Sequence, residues 1–189
     1  MRKLILASGS PRRRELLEQA GVPFTVAPAN ADESAPSGFT PEQAVMELAR
    51  RKALEANQEH PGELILAADT LVALDGETLG KPADEKEAAE MLRRLSGRAH
   101  EVFTGVAIKY GERETVFFER TQVMFYELDE REIEEYIQTG EPMDKAGAYG
   151  IQGRGCLFVR RLEGDYFNVV GLPVARVCRE LRFFQAAGE

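Results

Sequence analysis

The chain has 189 residues, 43% of them hydrophobic and 30% charged, the balance of a folded globular protein and not of a disordered one. A net charge of −8 argues against the broad basic face that binds nucleic-acid polymers, and no apolar run approaches the length that spans a bilayer. Two cysteines without CxxC spacing and two histidines, His60 and His100, without ligand spacing give no support to a zinc site or a Ser-His-Asp hydrolase.

The first apolar run, Leu4 to Ala7, predicts a buried strand, followed by Ser8-Gly9-Ser10 and then Pro11-Arg12-Arg13-Arg14. Ser10 suits a helix N-cap and Pro11 the first helical position. Leu16, Leu17 and Ala20 carry the helix to Gly21. Three arginines then occupy the first turn, where the partial positive charge of the helix end disfavours them. For a single arginine, solvent exposure explains this well enough. For a cluster beside a Ser-Gly-Ser turn, a bound phosphate is the better explanation.

Asp32-Glu33 lies in a polar loop and reads as surface acid or, together with Asp69, as oxygen ligands for a divalent cation. Thr40-Pro41-Glu42-Gln43 is a capping box that opens a helix to about Asn57, with Ala44, Val45, Leu48 and Ala49 on its apolar face. Lys52, following Arg50 and Arg51, reads as a solvated lysine. Leu64 to Ala68 predicts a short buried strand with Asp69 directly at its end, where α/β proteins place ligand-binding groups. That position serves metal coordination, water activation or turn capping.

Leu71 to Leu74 leads to an Asp75-Gly76 hairpin turn. Gly80-Lys81-Pro82 lacks both the earlier glycine and the hydroxyl residue of a P-loop, which leaves Lys81 as a point charge for phosphate. Asp84 caps a helix carrying Ala88, Met91, Leu92 and Leu95 that Gly97 ends. Val102 to Ile108 and Thr115 to Phe125 predict longer strands joined across Gly111, and Asp129 with Glu132 caps a helix that ends at Gly140. The glycine-rich stretch from Ala146 to Gly155 is a hinge or a place of close backbone approach to a ligand. Cys156 to Val159 and Tyr166 to Val170 predict a hairpin around Gly164, and Pro173 opens the last helix. Cys156 and Cys178 are expected to be buried free thiols of a reducing cytoplasm.

Strands and helices alternate early, and antiparallel hairpins follow. The pattern predicts an α/β protein with a mixed twisted sheet, in two lobes with a central cleft. The residues converge on a phosphate-bearing small molecule, a divalent cation and carboxylates able to activate water. A phosphohydrolase, a kinase-like transferase and a nucleotide-sensing protein all stay open on that basis.

Several segments in order resemble the Maf family of nucleoside triphosphate pyrophosphatases across nearly the whole chain. They are Leu6-Ala7-Ser8-Gly9-Ser10-Pro11-Arg12-Arg13, Ala67-Ala68-Asp69-Thr70, Leu79-Gly80-Lys81-Pro82, Leu95-Ser96-Gly97-Arg98, the run from Asp144 to Gly153, and the run from Asn168 to Val174. The resemblance implies a single Maf-like domain over residues 1–189 with an inosine-triphosphatase-like fold. It implies hydrolysis of dTTP, UTP and modified relatives between the α and β phosphates, to monophosphate and pyrophosphate, removing non-standard nucleotides. A divalent cation (Mg or Mn), a homodimer and a cytoplasmic location come with it, without nucleic-acid or membrane partners. Carried over position by position, Asp69 is the proton acceptor, and Arg12, Thr70 and Gln152 select the base. Ser8, Arg13, Lys52 and Lys81 hold phosphate, and Glu33 with Asp69 binds the metal. The donor and acceptor of the Gln152 amide suit the edge of a pyrimidine. The family is also linked to inhibition of septum formation, so the alternative is a nucleotide-binding regulator with incidental hydrolysis. A water activator at Asp69 favours the enzyme.

Overall fold

Apolar runs without polar interruption become buried strands at the centre of a sheet. Leu4–Leu6 (β1) is buried at every position, as is the first half of Leu64–Leu74 (β3). A computed structural model describes residues 2–32, 34 and 38–186. The remaining strands are Thr25–Val26 (β2), Glu77–Leu79 (β4), Ala99–Tyr110 (β5), Arg113–Phe125 (β6) and Val159–Glu163 (β7). They form a seven-stranded sheet in the order β2-β1-β3-β5-β6-β7, with β4 paired to β3. β1 runs parallel to β2 and β3, whereas the β3–β4 and β6–β7 pairs are antiparallel. The expected mixed α/β sheet is therefore present.

The helices are Pro11–Gln19 (α1), Pro41–Glu59 (α2), Glu85–Leu95 (α3), Glu130–Ile137 (α4), Tyr166–Val170 (α5) and Val174–Ala186 (α6). The chain divides into two compact units built from interleaved segments. One holds residues 1–69, 104–119 and 171–189, and the other 70–103 and 120–170.

In the first unit, α2 starts at the predicted Thr40–Gln43 capping box and lays small residues on the sheet. Ala49, Ala53 and Ala56 cluster with Ile5, Ala7, Ile65, Ala67 and Ala107. Gly105 in β5 completes this approach, because a Cβ there would collide with the Val45 carbonyl of α2. Small side chains on both surfaces bring helix and sheet unusually close. Lys52, three residues after Ala49, shares that buried face.

In the second unit, Ala88, Met91, Leu92 and Leu95 of α3 and Ile133, Tyr136 and Ile137 of α4 cover an aromatic core with Phe125, Tyr149 and Phe158. The Asp75-Gly76 turn is built as expected, both residues having positive φ (54° and 82°).

Four local expectations are corrected. β3 does not stop at Ala68: it continues unbroken through Asp69 and Thr70 to Leu74. Asp69 thus stands within a strand, between the part paired with β1 and the part paired with β4. The apolar residues on both sides keep the backbone extended, and only the side chain departs from the pattern. Tyr166–Val170 is a short helix, not the second strand of a hairpin. Asp165 Oδ1 accepts the Phe167 N–H at 2.8 Å, and the buried Asn168 side chain donates to the Val102 carbonyl and Thr121 Oγ1. Those bonds override the β propensity of its aromatic and β-branched residues.

Cys156 is exposed and Cys178 half-buried, against the expectation that both are buried. Cys156 lies in a 3₁₀ turn, Arg154–Phe158, that buries Gly155 and Phe158 and turns the residues between them outward. Ser10 is the N-cap residue of α1 by position, but its side chain makes no capping bond. Pro11 and its fixed φ initiate the helix instead.

Candidate active site

Arg13 is buried although it belongs to the first turn of α1. Its Nε donates to the Gly171 carbonyl at 2.8 Å and its Nη1 to Ser8 Oγ at 3.1 Å. Ser8 is itself buried at the end of β1, and its Oγ also accepts the Ser10 N–H at 3.3 Å. The Ser-Gly-Ser turn is thus tied to a guanidinium, and the run from Asn168 to Val174 supplies its anchors through Gly171. Arg12 is half-buried. Arg14 leaves the cluster: it is exposed and lies 3.8 Å from Glu18 on the next turn.

Lys52 overturns its reading as a solvated lysine. Its side chain is 8% exposed and its Nζ donates to Asp69 Oδ1 at 2.7 Å, Asp69 being 13% exposed. The alanine face of α2 sets this geometry by pressing the helix onto β3. An ammonium and a carboxylate held together out of bulk water form a charge-assisted hydrogen bond that fixes the orientation of both. This arrangement leaves a partly exposed carboxylate available to a water molecule or a cation.

In the second unit Thr70 is half-buried and follows Asp69 directly along β3, while Lys81 is exposed just beyond β4. Gln152 is exposed in the glycine-rich loop that precedes the Arg154–Phe158 turn. Glu33 lies outside the described residues. Among the described residues no group of three His, Cys, Asp or Glu side chains comes together. Asp69, a carboxylate that keeps 13% exposure, is an oxygen donor of the type a hydrated divalent cation takes. Among the described residues no helix is long and apolar enough to cross a membrane.

Sequence reasoning missed the groups that hold the Gln152 loop. Tyr136 Oη donates to Glu141 Oε1 at 2.8 Å and accepts the Gly150 N–H at 3.1 Å. Glu141 Oε2 accepts the Arg154 N–H at 2.9 Å. The one signal for them in the sequence is the glycine spacing at 150, 153 and 155, which marks a backbone wrapped closely around something.

The chain is thus a mixed-sheet α/β protein that holds a lysine–carboxylate pair on β3 and a serine-bound arginine shortly after β1. Residues 3–184 match the family model for Maf-like proteins, and the chain belongs to that family. The dTTP/UTP pyrophosphatase of Bacillus mycoides (strain KBAB4) is 52% identical over 98% of this chain and 97% of its own length. That of Bacillus cytotoxicus is 53% identical over 98% of this chain and 97% of its own. Among solved structures, a HAM1 protein from Coxiella burnetii superposes with a TM-score of 0.54 at 14% identity, covering 96% of this chain and 99% of that one. This last likeness establishes a shared fold.

Proposed function

We propose that this protein hydrolyses pyrimidine nucleoside triphosphates, dTTP and UTP, between the α and β phosphates, releasing the monophosphate and pyrophosphate. The observation that carries the reading is the largely buried Lys52–Asp69 pair, in a chain about half of whose residues are shared with named dTTP/UTP pyrophosphatases over 97% of their length. In a phosphoryl transfer the protein's contribution is positioning and charge neutralisation.

Asp69 accepts a proton from the attacking water, and Lys52 holds its carboxylate in one orientation from the Oδ1 side. Lys52, Lys81, Arg13 and Ser8 bind phosphate oxygens, with Arg13 presenting the Ser8 hydroxyl. Arg12, Thr70 and Gln152 choose the base. Asp69 and Glu33 would hold a divalent cation, Mg or Mn, whose charge offsets that of the triphosphate. The same reading gives a single working domain over residues 1–189, a homodimer and a cytoplasmic location. The free thiols Cys156 and Cys178 suit a reducing compartment.

The test is a nucleotide panel assayed for phosphate release with and without added inorganic pyrophosphatase, in Mg and in Mn. Turnover of dTTP and UTP that depends on the coupling enzyme is expected. Orthophosphate as the primary product, or no turnover with either cation, would overturn the reading.

A further inference from the structure

The loop that carries Gln152 is held at both ends by two side chains to which the catalytic reading assigns no role. Tyr136, on the buried face of α4, reaches Gly150 at the start of the loop, its hydroxyl accepting that N–H at 3.1 Å. The same hydroxyl donates to Glu141 Oε1 at 2.8 Å. Burial raises the Tyr136 phenol well above its ordinary value, so it stays a protonated donor. At the far end, Glu141 Oε2 accepts the Arg154 N–H at 2.9 Å and Oε1 receives the Gly155 N–H at 3.4 Å.

Gly153 answers to this carboxylate and Gly155 to the tyrosine hydroxyl. A Cβ on Gly153 would overlap both oxygens of Glu141, and one on Gly155 would stand 2.9 Å from the Tyr136 hydroxyl and 2.6 Å from the Gly150 carbonyl. Lys145 secures the carboxylate's own backbone, its Nζ donating to the Glu141 carbonyl and to Asp144 Oδ1, both at 2.6 Å. Residues 150–155 are thus wound around one anionic side chain, with Gln152 exposed at their crest.

We infer that Tyr136 and Glu141 are positioning residues for base selection, fixing the loop that presents the Gln152 amide to the pyrimidine. The inference rests on the reading of Gln152 as a base-selecting residue. A hydrogen-bonding amide discriminates between bases only if its backbone is held in place, because displacement by an ångström forfeits the bonds. The clamp acts on recognition and not on the attacking water, so its effect belongs in KM for the preferred base and not in kcat.

The test compares Tyr136→Phe, Glu141→Gln and Gln152→Ala with UTP and CTP as substrates. Tyr136→Phe keeps the edge contact of the ring with Phe158, and Glu141→Gln is nearly isosteric but replaces one accepting oxygen by a donor. Both are expected to raise KM for UTP with kcat little changed, narrowing the UTP-to-CTP ratio of kcat/KM by about tenfold or more. Neither should narrow it further in the Gln152→Ala background. Amide hydrogen exchange across residues 150–155 should quicken in both. A UTP preference kept in Tyr136→Phe and Glu141→Gln but lost in Gln152→Ala overturns this inference alone, as do losses that multiply in the double variants. A preference unchanged in Gln152→Ala overturns the base-selection reading itself and this inference with it. Faster loop exchange in the other two variants would then report a clamp without a role in recognition.

Discussion

Lys52 Nζ stands 2.7 Å from Asp69 Oδ1, joining the apolar face of α2 to the middle of β3. Both charges are largely withdrawn from water, at 8% and 13% side-chain exposure. The pair survives there because each neutralises the other and because alanines bring the helix near enough for a lysine to reach. Asp69→Asn keeps the shape of the side chain and removes its capacity to take a proton. Turnover of dTTP and UTP should fall by roughly 10²–10⁴-fold, with nucleotide binding retained in a titration against a non-hydrolysable analogue. Near-normal turnover would remove Asp69 from the role of base, and loss of binding together with turnover would leave it the metal-ligand role alone.

Lys52→Met tests the pair from the other side. It leaves a carboxylate at 13% exposure without its cation, and breaking a buried ion pair from one side costs about 3 kcal/mol. Urea unfolding should record that loss, and Asp69→Asn added to Lys52→Met should recover part of it, since the amide carries no charge to strand. A Lys52→Met protein as stable as the wild type would mean the pair is solvated in solution.

Gly105→Ala probes the approach of helix to sheet that sets the Lys52–Asp69 distance. The added methyl meets the Val45 carbonyl and the Met46 N–H of α2, both backbone groups that cannot rotate away. A cost of about 1–3 kcal/mol is expected from overpacking, together with lower turnover as the helix shifts from β3. Gly80→Ala, where a Cβ meets open space, is the stability control. Equal unfolding midpoints for the two variants would argue that α2 adjusts freely.

Sequence alone carried most of the architecture, for identifiable reasons. Capping boxes at Thr40 and Asp129, the Asp75-Gly76 turn and the apolar stripe of α3 are local signals, and each element formed where its signal placed it. What stayed hidden depended on partners far along the chain. Lys52 looks like its arginine neighbours until Asp69, 17 residues on, is brought beneath it by the fold. Tyr166–Val170 reads as a strand because the bonds of Asn168 to Val102 and Thr121 span 66 and 47 residues. Glu141 sits in an ordinary Gly-Glu-Pro segment, and its meaning is visible only in Gly153, which leaves room for its carboxylate. The base-selecting roles proposed for Arg12, Thr70 and Gln152 come from the motif resemblance, because local chemistry left them open.

His100 gives the protein an acid-sensitive core. Its ring is 1% exposed, its Nε2 shares a hydrogen bond with Tyr149 Oη at 2.8 Å, and Phe125 and Tyr149 pack edge-on against it at 4.8 and 5.3 Å between centroids. Its Nδ1 has no partner among the described residues, so a proton added there would be buried without an acceptor. Burial accordingly lowers the imidazole from its ordinary 6.5 to about 4. At pH 8 the ring is neutral in folded and unfolded chains alike and contributes no pH dependence. Below 6.5 the unfolded chain takes up a proton that the folded chain refuses, so stability declines as pH falls and levels off only below about 4. By pH 5 this single group should have removed about 2 kcal/mol. Urea unfolding at pH 8, 6 and 5 should show that decline in the wild type. In His100→Gln, which has no titrating ring, the decline should be shallower, whatever the variant's stability at pH 8. Parallel declines in the two proteins would transfer the acid sensitivity to other groups.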